Sequence, residues 1–253
     1  MAKIKANEAL VKALQAWDID HLWGIPGDSV DAVVDNLRTV RDTFKFYHVR
    51  HEEVASLSAA AYTKLTGKIG VALSIGGPGI VHLLNGMYDA KMDRVPQLII
   101  TGQTNSTLLG TKFFQETNIS KMVDDVAVFH HQVQKGDDLF EITNEAIRTA
   151  YEKNGVAVII CPNDLLTQKI KDTTNRPVDT SRPVLPTPSY RSIKKAAKLI
   201  NKSKKPVMLV GVGAKNASTE LQDFIEAAKI PVIHTLPALS LIHISEPTRR
   251  TPI

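Results

Sequence analysis

The 253-residue chain has little of what disulfide-rich, cluster-binding or membrane-spanning proteins need. It holds one cysteine, Cys161, which excludes an internal disulfide and a cysteine-based zinc cluster. No apolar run approaches the roughly 20 residues of a membrane-spanning helix, and no leader-like apolar stretch follows the first five residues. With 43% apolar and 23% charged residues, the composition is that of a globular protein, and we expect a cytoplasmic location.

The net charge of +5 is partly local. Seven basic residues and no acidic one lie between Arg191 and Lys205. Such a run is most simply a solvated helix face, but it also suits an anionic membrane surface. No RNA-binding aromatic motif or zinc finger accompanies it, so we expect no nucleic-acid partner. A peripheral contact with the inner face of the membrane stays open as an alternative.

Strand-like apolar runs alternate with helical patterns along the first 172 residues. Strand candidates such as 69–75 and 156–160 are almost continuously apolar, as in a parallel sheet that helices cover on both faces. The alternation predicts an α/β fold, a doubly wound parallel sheet flanked by helices. Helices are predicted at residues 6–17, 29–37, 52–65, 78–90 and 138–153.

A change of composition at residues 173–188 divides the chain. Four prolines in this polar stretch predict a linker between a first domain, 1–172, and a second α/β segment, 189–238. The final residues, 239–253, resemble a translated sequencing-library adapter, so we interpret them as a non-native tail. The second domain is then truncated after about two strands, which is too few for a core of its own.

Four loop segments stand where a predicted strand ends and a helix begins, which is where open α/β sheets bind ligands. They are Gly24-Ile25-Pro26-Gly27-Asp28-Ser29, Arg50-His51-Glu52-Glu53, Gly76-Gly77-Pro78-Gly79 followed by His82 and Asn85-Gly86, and Thr101-Gly102-Gln103 followed by Phe114-Gln115-Glu116. Taken singly, each is more often ordinary turn, capping or core chemistry than a site. In this order they form a far more specific pattern.

The pattern resembles the N-terminal, pyrimidine-binding domain of thiamine diphosphate enzymes over residues 3–165. Within that superfamily, the loops together with residues 64–71 and 114–116 are most similar to pyruvate oxidases of the firmicute, staphylococcal type. The resemblance implies oxidative decarboxylation of pyruvate through a thiamine diphosphate ylide, with electrons passed to FAD and then to quinone or oxygen. It also implies a homo-oligomer, a dimer or tetramer, in the full-length parent.

The resemblance assigns roles residue by residue. Glu52 would be the catalytic carboxyl group, which exchanges a proton with N1′ of the aminopyrimidine, and Glu53 would be secondary. Glycines would let the backbone approach the ring closely. The cofactor-binding set would be Gly24, Pro26, Gly27, Glu52, Gly77, Pro78, Gly79 and Asn85. The pyruvate-side set would be Ser29, His82, Phe114 and Gln115.

The second domain carries one further motif. Gly211 and Gly213 lie between a predicted strand and a predicted helix, in a dinucleotide-type turn that lacks the third glycine of the fingerprint. The resemblance makes them FAD neighbours in a partial site. The family's Gly-Asp-Gly motif, which holds Mg²⁺ and the diphosphate, is absent from the chain. We therefore expect only the pyrimidine half-site of thiamine diphosphate, no metal ligands and no activity in this chain alone.

Two other functions stay open on the sequence. An acetolactate-synthase-like carboligase or another thiamine diphosphate decarboxylase would share the loop motifs but usually lacks the Phe-Gln-Glu context. Carbon–carbon bond formation without net electron transfer would indicate the carboligase. A stand-alone α/β binding module would instead bind a nucleotide or a partner without thiamine diphosphate.

Overall fold

The computed structural model describes residues 2–181 and 187–238. The predicted non-native tail, 239–253, and residues 182–186 of the predicted linker lie outside the described part. The chain divides into two compact units, Met1–Val184 and Leu185–Ile253. Thr173 is buried and Val178 packs against the apolar core, so the start of the predicted linker belongs to the packed first unit.

The first unit alternates strands and helices, and its main sheet is wholly parallel. Six strands pair in the order β3-β2-β4-β5-β7-β6, each parallel to its neighbours. This confirms the predicted doubly wound parallel sheet. In chain order the elements are β1 Lys3–Lys5, α1 Ala6–Ala16, β2 His21–Gly24, α2 Asp31–Thr39, β3 Lys45–His48, α3 Glu52–Thr66, β4 Gly70–Ser74, α4 Pro78–Asp93, β5 Gln97–Gln103, α5 Ile119–Val123, β6 Ala127–Gln132, α6 Leu139–Lys153, β7 Val156–Pro162, α7 Asn163–Leu166 and β8 Lys169–Lys171.

Helices cover both faces of this sheet, which separates two apolar cores. Helices α1, α2 and α6 pack on one face, while α3, α4 and α5 pack on the other. Alternate residues of a strand serve opposite faces: Val71 and Leu73 join the first core, and Ala72 joins the second. Strand β7 is buried along its whole length, which explains its unbroken apolar sequence.

The ends of the helices next to the candidate site follow ordinary capping chemistry. His51 caps α3, since its side chain accepts a hydrogen bond from the Glu53 amide. Gly67 ends the same helix in the left-handed conformation, at a φ of 72°. Pro78 occupies the first turn of α4, where its missing N–H costs nothing. Glu52 and Pro78 therefore stand at helix starts, as the sequence predicts.

Several short elements are absent from the sequence prediction. Strand β6 is an edge strand of mixed polarity and is half-buried throughout. Strands β1 and β8 have three residues each and pair in antiparallel fashion, with Ile4 opposite Ile170 on the buried side. Exposed lysines flank both isoleucines, with Lys3 opposite Lys171 and Lys5 opposite Lys169. Neither ribbon strand is long enough to give a periodic signal.

The second unit contains two helices and one parallel pair of strands. Its elements are α8 Tyr190–Lys202, β9 Met208–Val210, α9 Ser218–Ala228 and β10 Val232–His234, with β9 paired to β10. Helix α8 has no buried residue and carries five basic side chains and no acidic one. In the part of the chain that the structure describes, no helix is long and apolar enough to cross a bilayer.

Burial of the cysteine gives a direct test of the sheet. Cys161 lies fully buried in β7, and burial raises the pKa of its thiol to about 12 because a thiolate would lose its hydration there. We expect a chromogenic disulfide reagent at neutral pH to leave the folded protein unmodified. After unfolding in guanidinium, it should label the single thiol of each chain. Fast labelling before unfolding would contradict the buried position.

Candidate functional site

The four predicted loops meet at one edge of the sheet. They follow β2, β3, β4 and β5, whose carboxyl ends point the same way because the strands are parallel. Ser29 links the first loop to the third, since its buried hydroxyl accepts a hydrogen bond from the Gly76 amide at 3.2 Å. Ser29 is predicted from the sequence to contact pyruvate, and this bond already occupies one of its acceptor positions.

Close glycine contacts hold the loops against one another. A Cβ atom on Gly102 would lie 2.1 Å from Ser29 Oγ, and one on Gly76 would lie 2.7 Å from the Gly102 carbonyl oxygen. The first loop packs on β4 in the same way, because a Cβ on Gly24 would lie 2.4 Å from the Leu73 carbonyl oxygen. These positions admit no side chain without displacement of backbone.

The turn before α4 also contacts the fourth loop. Gly77 has a φ of +60°, and a Cβ there would lie 2.7 Å from the Gln115 carbonyl oxygen. Gln115 is itself left-handed, at a φ of 62°, which is uncommon for a residue with a side chain. The Glu116 carboxylate shapes this segment by accepting hydrogen bonds from the amides of Gly110 and Phe113. Phe114 next to it is 76% exposed.

Glu52 is a well-shielded acidic group at this edge. Its side chain is 13% exposed, and its Oε2 lies 3.0 Å from Nδ1 of His82 on α4. The His51 ring lies beside that of His82, with centroids 4.4 Å apart and planes tilted by 32°. The structure thus brings together Glu52 and His82, two residues that the sequence predicts in different roles.

The adjacent carboxylate is engaged elsewhere. Glu53 accepts a hydrogen bond from the side-chain amide of Asn85, and its Oε2 lies 3.8 Å from His51 Nδ1. Asn85, predicted to bind the cofactor, therefore holds Glu53 in this structure. Among the described residues, Oε1 of Glu52 accepts no hydrogen bond. Each of these neighbouring glutamates has one carboxylate oxygen within hydrogen-bond distance of a side chain, and they differ in shielding: the side chain of Glu52 is 13% exposed and that of Glu53 is 38% exposed.

The contact between Glu52 and His82 depends on packing one helical turn further on. Ser56 follows Glu52 by four residues, and Gly86 follows His82 by four, so each pair lies on one helix face. A Cβ on Gly86 would lie 2.2 Å from Ser56 Oγ and 2.5 Å from the Leu57 amide nitrogen. The buried Gln97 side chain also donates a hydrogen bond to the Ser56 carbonyl, at 2.6 Å. Helices α3 and α4 approach this closely because residue 86 has no side chain.

The remaining predicted residues occupy other surroundings. Pro26 is exposed, Gly27 packs against Ile75, and Gly79 packs against Ile75 and Ser74. Gly211 and Gly213 lie in the second unit, after β9. A Cβ on Gly213 would meet nothing within 4 Å, and one on Gly211 would meet only Thr235 Oγ1, at 4.0 Å.

One grouping was not predicted from the sequence. His51, Glu52 and His82 offer ligand atoms that lie within 4.8 Å of one another, whereas the sequence analysis expected no metal ligands. The adjacency of His51 and Glu52 was visible in the sequence. The approach of His82, about thirty residues away, depends on the helix contact at Gly86.

Two family descriptions match the chain. Residues 4–122 match "Thiamine pyrophosphate enzyme, N-terminal TPP binding domain", and residues 193–251 match "Thiamine pyrophosphate enzyme, central domain". Together they cover more than half of the chain. The second match overlaps residues 239–253, the segment interpreted above as a non-native tail.

The chain is also similar to proteins of several bacteria. It is 46% identical over 245 residues to YdaP of Bacillus subtilis, whose name links it to thiamine pyrophosphate, covering 96% of this chain and 42% of that protein. A pyruvate oxidase of Lactiplantibacillus plantarum is 39% identical, with 94% of this chain and 40% of that protein covered. An acetolactate synthase large subunit of Corynebacterium glutamicum is 36% identical, with 94% and 38% covered. The chain spans about two fifths of the length of these relatives.

Replacing Gly86 tests the helix contact. A glycine-to-alanine change inside a helix ordinarily stabilises by about 0.5–1 kcal/mol. Here the added methyl group collides with α3, so we expect Gly86→Ala to lower the free energy of unfolding by about 1–3 kcal/mol, measured by urea unfolding. Gly213→Ala is the control, because its Cβ would enter open space. Unchanged or increased stability of Gly86→Ala would contradict the close approach.

Proposed function

We propose the following function on the basis that the chain belongs to the thiamine pyrophosphate enzyme family, whose N-terminal and central domains both match it. Its first unit binds the pyrimidine half of thiamine diphosphate, and Glu52 moves the proton that activates the cofactor. The reaction of the longer protein is the oxidative decarboxylation of pyruvate, with electrons passed to FAD and then to quinone or oxygen.

The position of Glu52 is the observation that carries this proposal. A shielded carboxylate with one oxygen held by His82 stands at a helix start. His82 lies one turn into the helix that begins at the glycine turn 76–79. Gly77, in the turn before this helix, has a positive φ that disfavours other residues, and its missing side chain leaves room for Gln115, so the fourth loop lies against the turn.

In this proposal each residue has a separate role. Thiamine diphosphate, when bound, supplies a stabilised carbanion that no protein side chain can supply. Glu52 holds a proton at its free Oε1 and exchanges it with the ring nitrogen, while His82 fixes the carboxyl group through Oε2.

The pyruvate side is proposed around the turn at Gly77. The Gln115 backbone lies directly against Gly77, and we assign its side-chain amide to hydrogen-bond a carboxylate or keto oxygen of pyruvate. The exposed ring of Phe114 needs a covering surface before it can exclude water from the reaction. We assign that surface to a second copy of the protein, in a homo-oligomer.

Exposed apolar side chains on α3 and α4 support the oligomer. Each would be stabilised by burial against a partner. They are Val54, Leu57, Val81, Tyr88 and Met92, between 38% and 75% exposed.

The described residues do not form a site for FAD or Mg²⁺. Gly211 and Gly213 face largely open space, without a set of polar groups around them, so we derive no step through the flavin from this chain. The one cluster of metal-ligating side chains in the described part contains two imidazoles. Mg²⁺ prefers oxygen ligands, so this cluster does not suit it.

A carboligase of the acetolactate synthase type is the second candidate. Acetolactate synthases are 32–36% identical to this chain, with 36% for the Corynebacterium subunit against 39% for the pyruvate oxidase. We favour the oxidase because the segment Phe114-Gln115-Glu116 lies against the turn at Gly77.

Removal of the proton-exchanging group tests the role of Glu52. In the longest natural reading frame that contains this chain, loaded with thiamine diphosphate and Mg²⁺, we expect Glu52→Gln to slow hydrogen–deuterium exchange at cofactor C2 by roughly 10²–10⁴-fold. Thermal unfolding should be little changed, since the amide can still bond His82. Glu53→Gln is the matched control and should exchange at close to the wild-type rate. Wild-type exchange in cofactor-bound Glu52→Gln would exclude the role.

Product analysis separates the two candidate reactions. Supplied with pyruvate and an artificial electron acceptor, the same loaded protein should release carbon dioxide and acetate or acetyl phosphate as the acceptor is reduced. Carbon-13-labelled pyruvate followed by NMR identifies the products. Acetolactate formed without reduction of the acceptor would establish the carboligase instead.

A further inference from the structure

The triad of His51, Glu52 and His82 contains more metal-ligating side chains than proton exchange alone needs. Two imidazoles and one carboxylate meet here from two helices, with ligand atoms within 4.8 Å of one another. Proton exchange needs only the carboxylate and one group to hold it. His51 in addition caps α3, a task for which serine, threonine, aspartate or asparagine is usually preferred.

We propose that His51, Glu52 and His82 form a binding site for a borderline divalent cation, with Zn²⁺ as the representative ion. Two histidines and one carboxylate are an established donor set for Zn²⁺ in proteins, with the fourth position left to water. Imidazole also suits copper and nickel ions, whereas Mg²⁺ and Ca²⁺ select oxygen. The site is therefore distinct in chemistry from the Mg²⁺ site expected in the family.

The distances allow the cation to enter with side-chain rotation alone. Zn–ligand bonds of roughly 2.0–2.1 Å put two tetrahedral ligand atoms about 3.3 Å apart. His82 Nδ1 and Glu52 Oε2 are already 3.0 Å apart. The remaining contraction falls to His51, whose side chain is 48% exposed and turns toward its neighbours by giving up the hydrogen bond from the Glu53 amide.

The surroundings also provide support for the ligands. Metal-bound histidines commonly donate their second ring N–H to a carboxylate. The Glu53 carboxylate, itself held by Asn85, lies 3.8 Å from His51 Nδ1 and would take up this N–H once Nδ1 no longer accepts from the Glu53 amide. It also offsets the positive end of the α3 dipole, which opposes a cation at this position. His82 is 44% exposed, so the ion and its water have access from solvent.

Binding has a consequence that rests on the proposed function of Glu52. A cation on the Glu52 carboxylate replaces its proton and lies where the pyrimidine ring approaches. Zn²⁺ and proton exchange at the cofactor then exclude each other, and a chelator restores the exchange.

Titration of the 253-residue chain with Zn²⁺ alone, in competition with a chromophoric chelator, tests the site without any cofactor. We expect His82→Gln and His51→Gln each to weaken Zn²⁺ binding by at least about 10-fold, since loss even of a supporting group costs that much. His131→Gln is the control: this histidine pairs with Asp137 at 2.7 Å, apart from the triad, and its loss should leave the affinity unchanged. Mg²⁺ should not compete.

The result is independent of the thiamine chemistry. Both histidines are about half exposed, so the His82 variant should unfold close to the wild-type temperature and the His51 variant slightly below it, because the α3 cap is lost; circular dichroism checks this. Equal Zn²⁺ affinity in wild type and both triad variants, or no binding by the wild type, would overturn the proposal. Failure of the Glu52→Gln exchange test would leave the binding result standing, because no cofactor takes part in it.

Discussion

The close approach of helices α3 and α4 is the constraint on which the candidate site depends. The two helices can come together because Gly86 has no side chain to hold them apart and because alanines line the α3 face below it. One turn toward the start of each helix, the same approach brings Glu52 within 3.0 Å of His82. The position of the Glu52 carboxylate is thus set by packing beneath the site.

The two neighbouring glutamates show how one local sequence yields two environments. Glu53 lies beside Asn85 and His51, whereas Glu52 lies beside His82 and is the more shielded of the two. Consecutive helical residues point about 100° apart, so identical side chains meet different partners. The proposed proton exchange uses Oε1 of Glu52 and the proposed cation site uses Oε2 of the same carboxylate, which is why each would interfere with the other.

Much of the fold is predictable because its signals are local. Glu52, Gly67 and Pro78 mark helix ends through capping rules, and the apolar run of β7 marks a central strand. The half-buried edge strand β6 escapes prediction because its polarity does not alternate cleanly. At the site, the loop motifs pick out Glu52 and the glycine turn. The bond from Gly76 to Ser29, the exposure of Phe114 and the grouping of three ligand side chains arise from contacts between distant residues. Periodicity carries no information about such contacts.

The short ribbon of β1 and β8 joins the two ends of the first unit, and the join is weakened by repulsion between like charges. Lys3 faces Lys171 and Lys5 faces Lys169, so four like charges share one narrow, solvent-exposed strip. Directly opposed like charges weaken a strand pair, and dissolved ions screen that repulsion over about 8 Å at physiological strength. The pairing of β1 with β8 should therefore fray in dilute buffer and become more stable as salt is added. The interior, whose contacts are apolar, should not respond in this way.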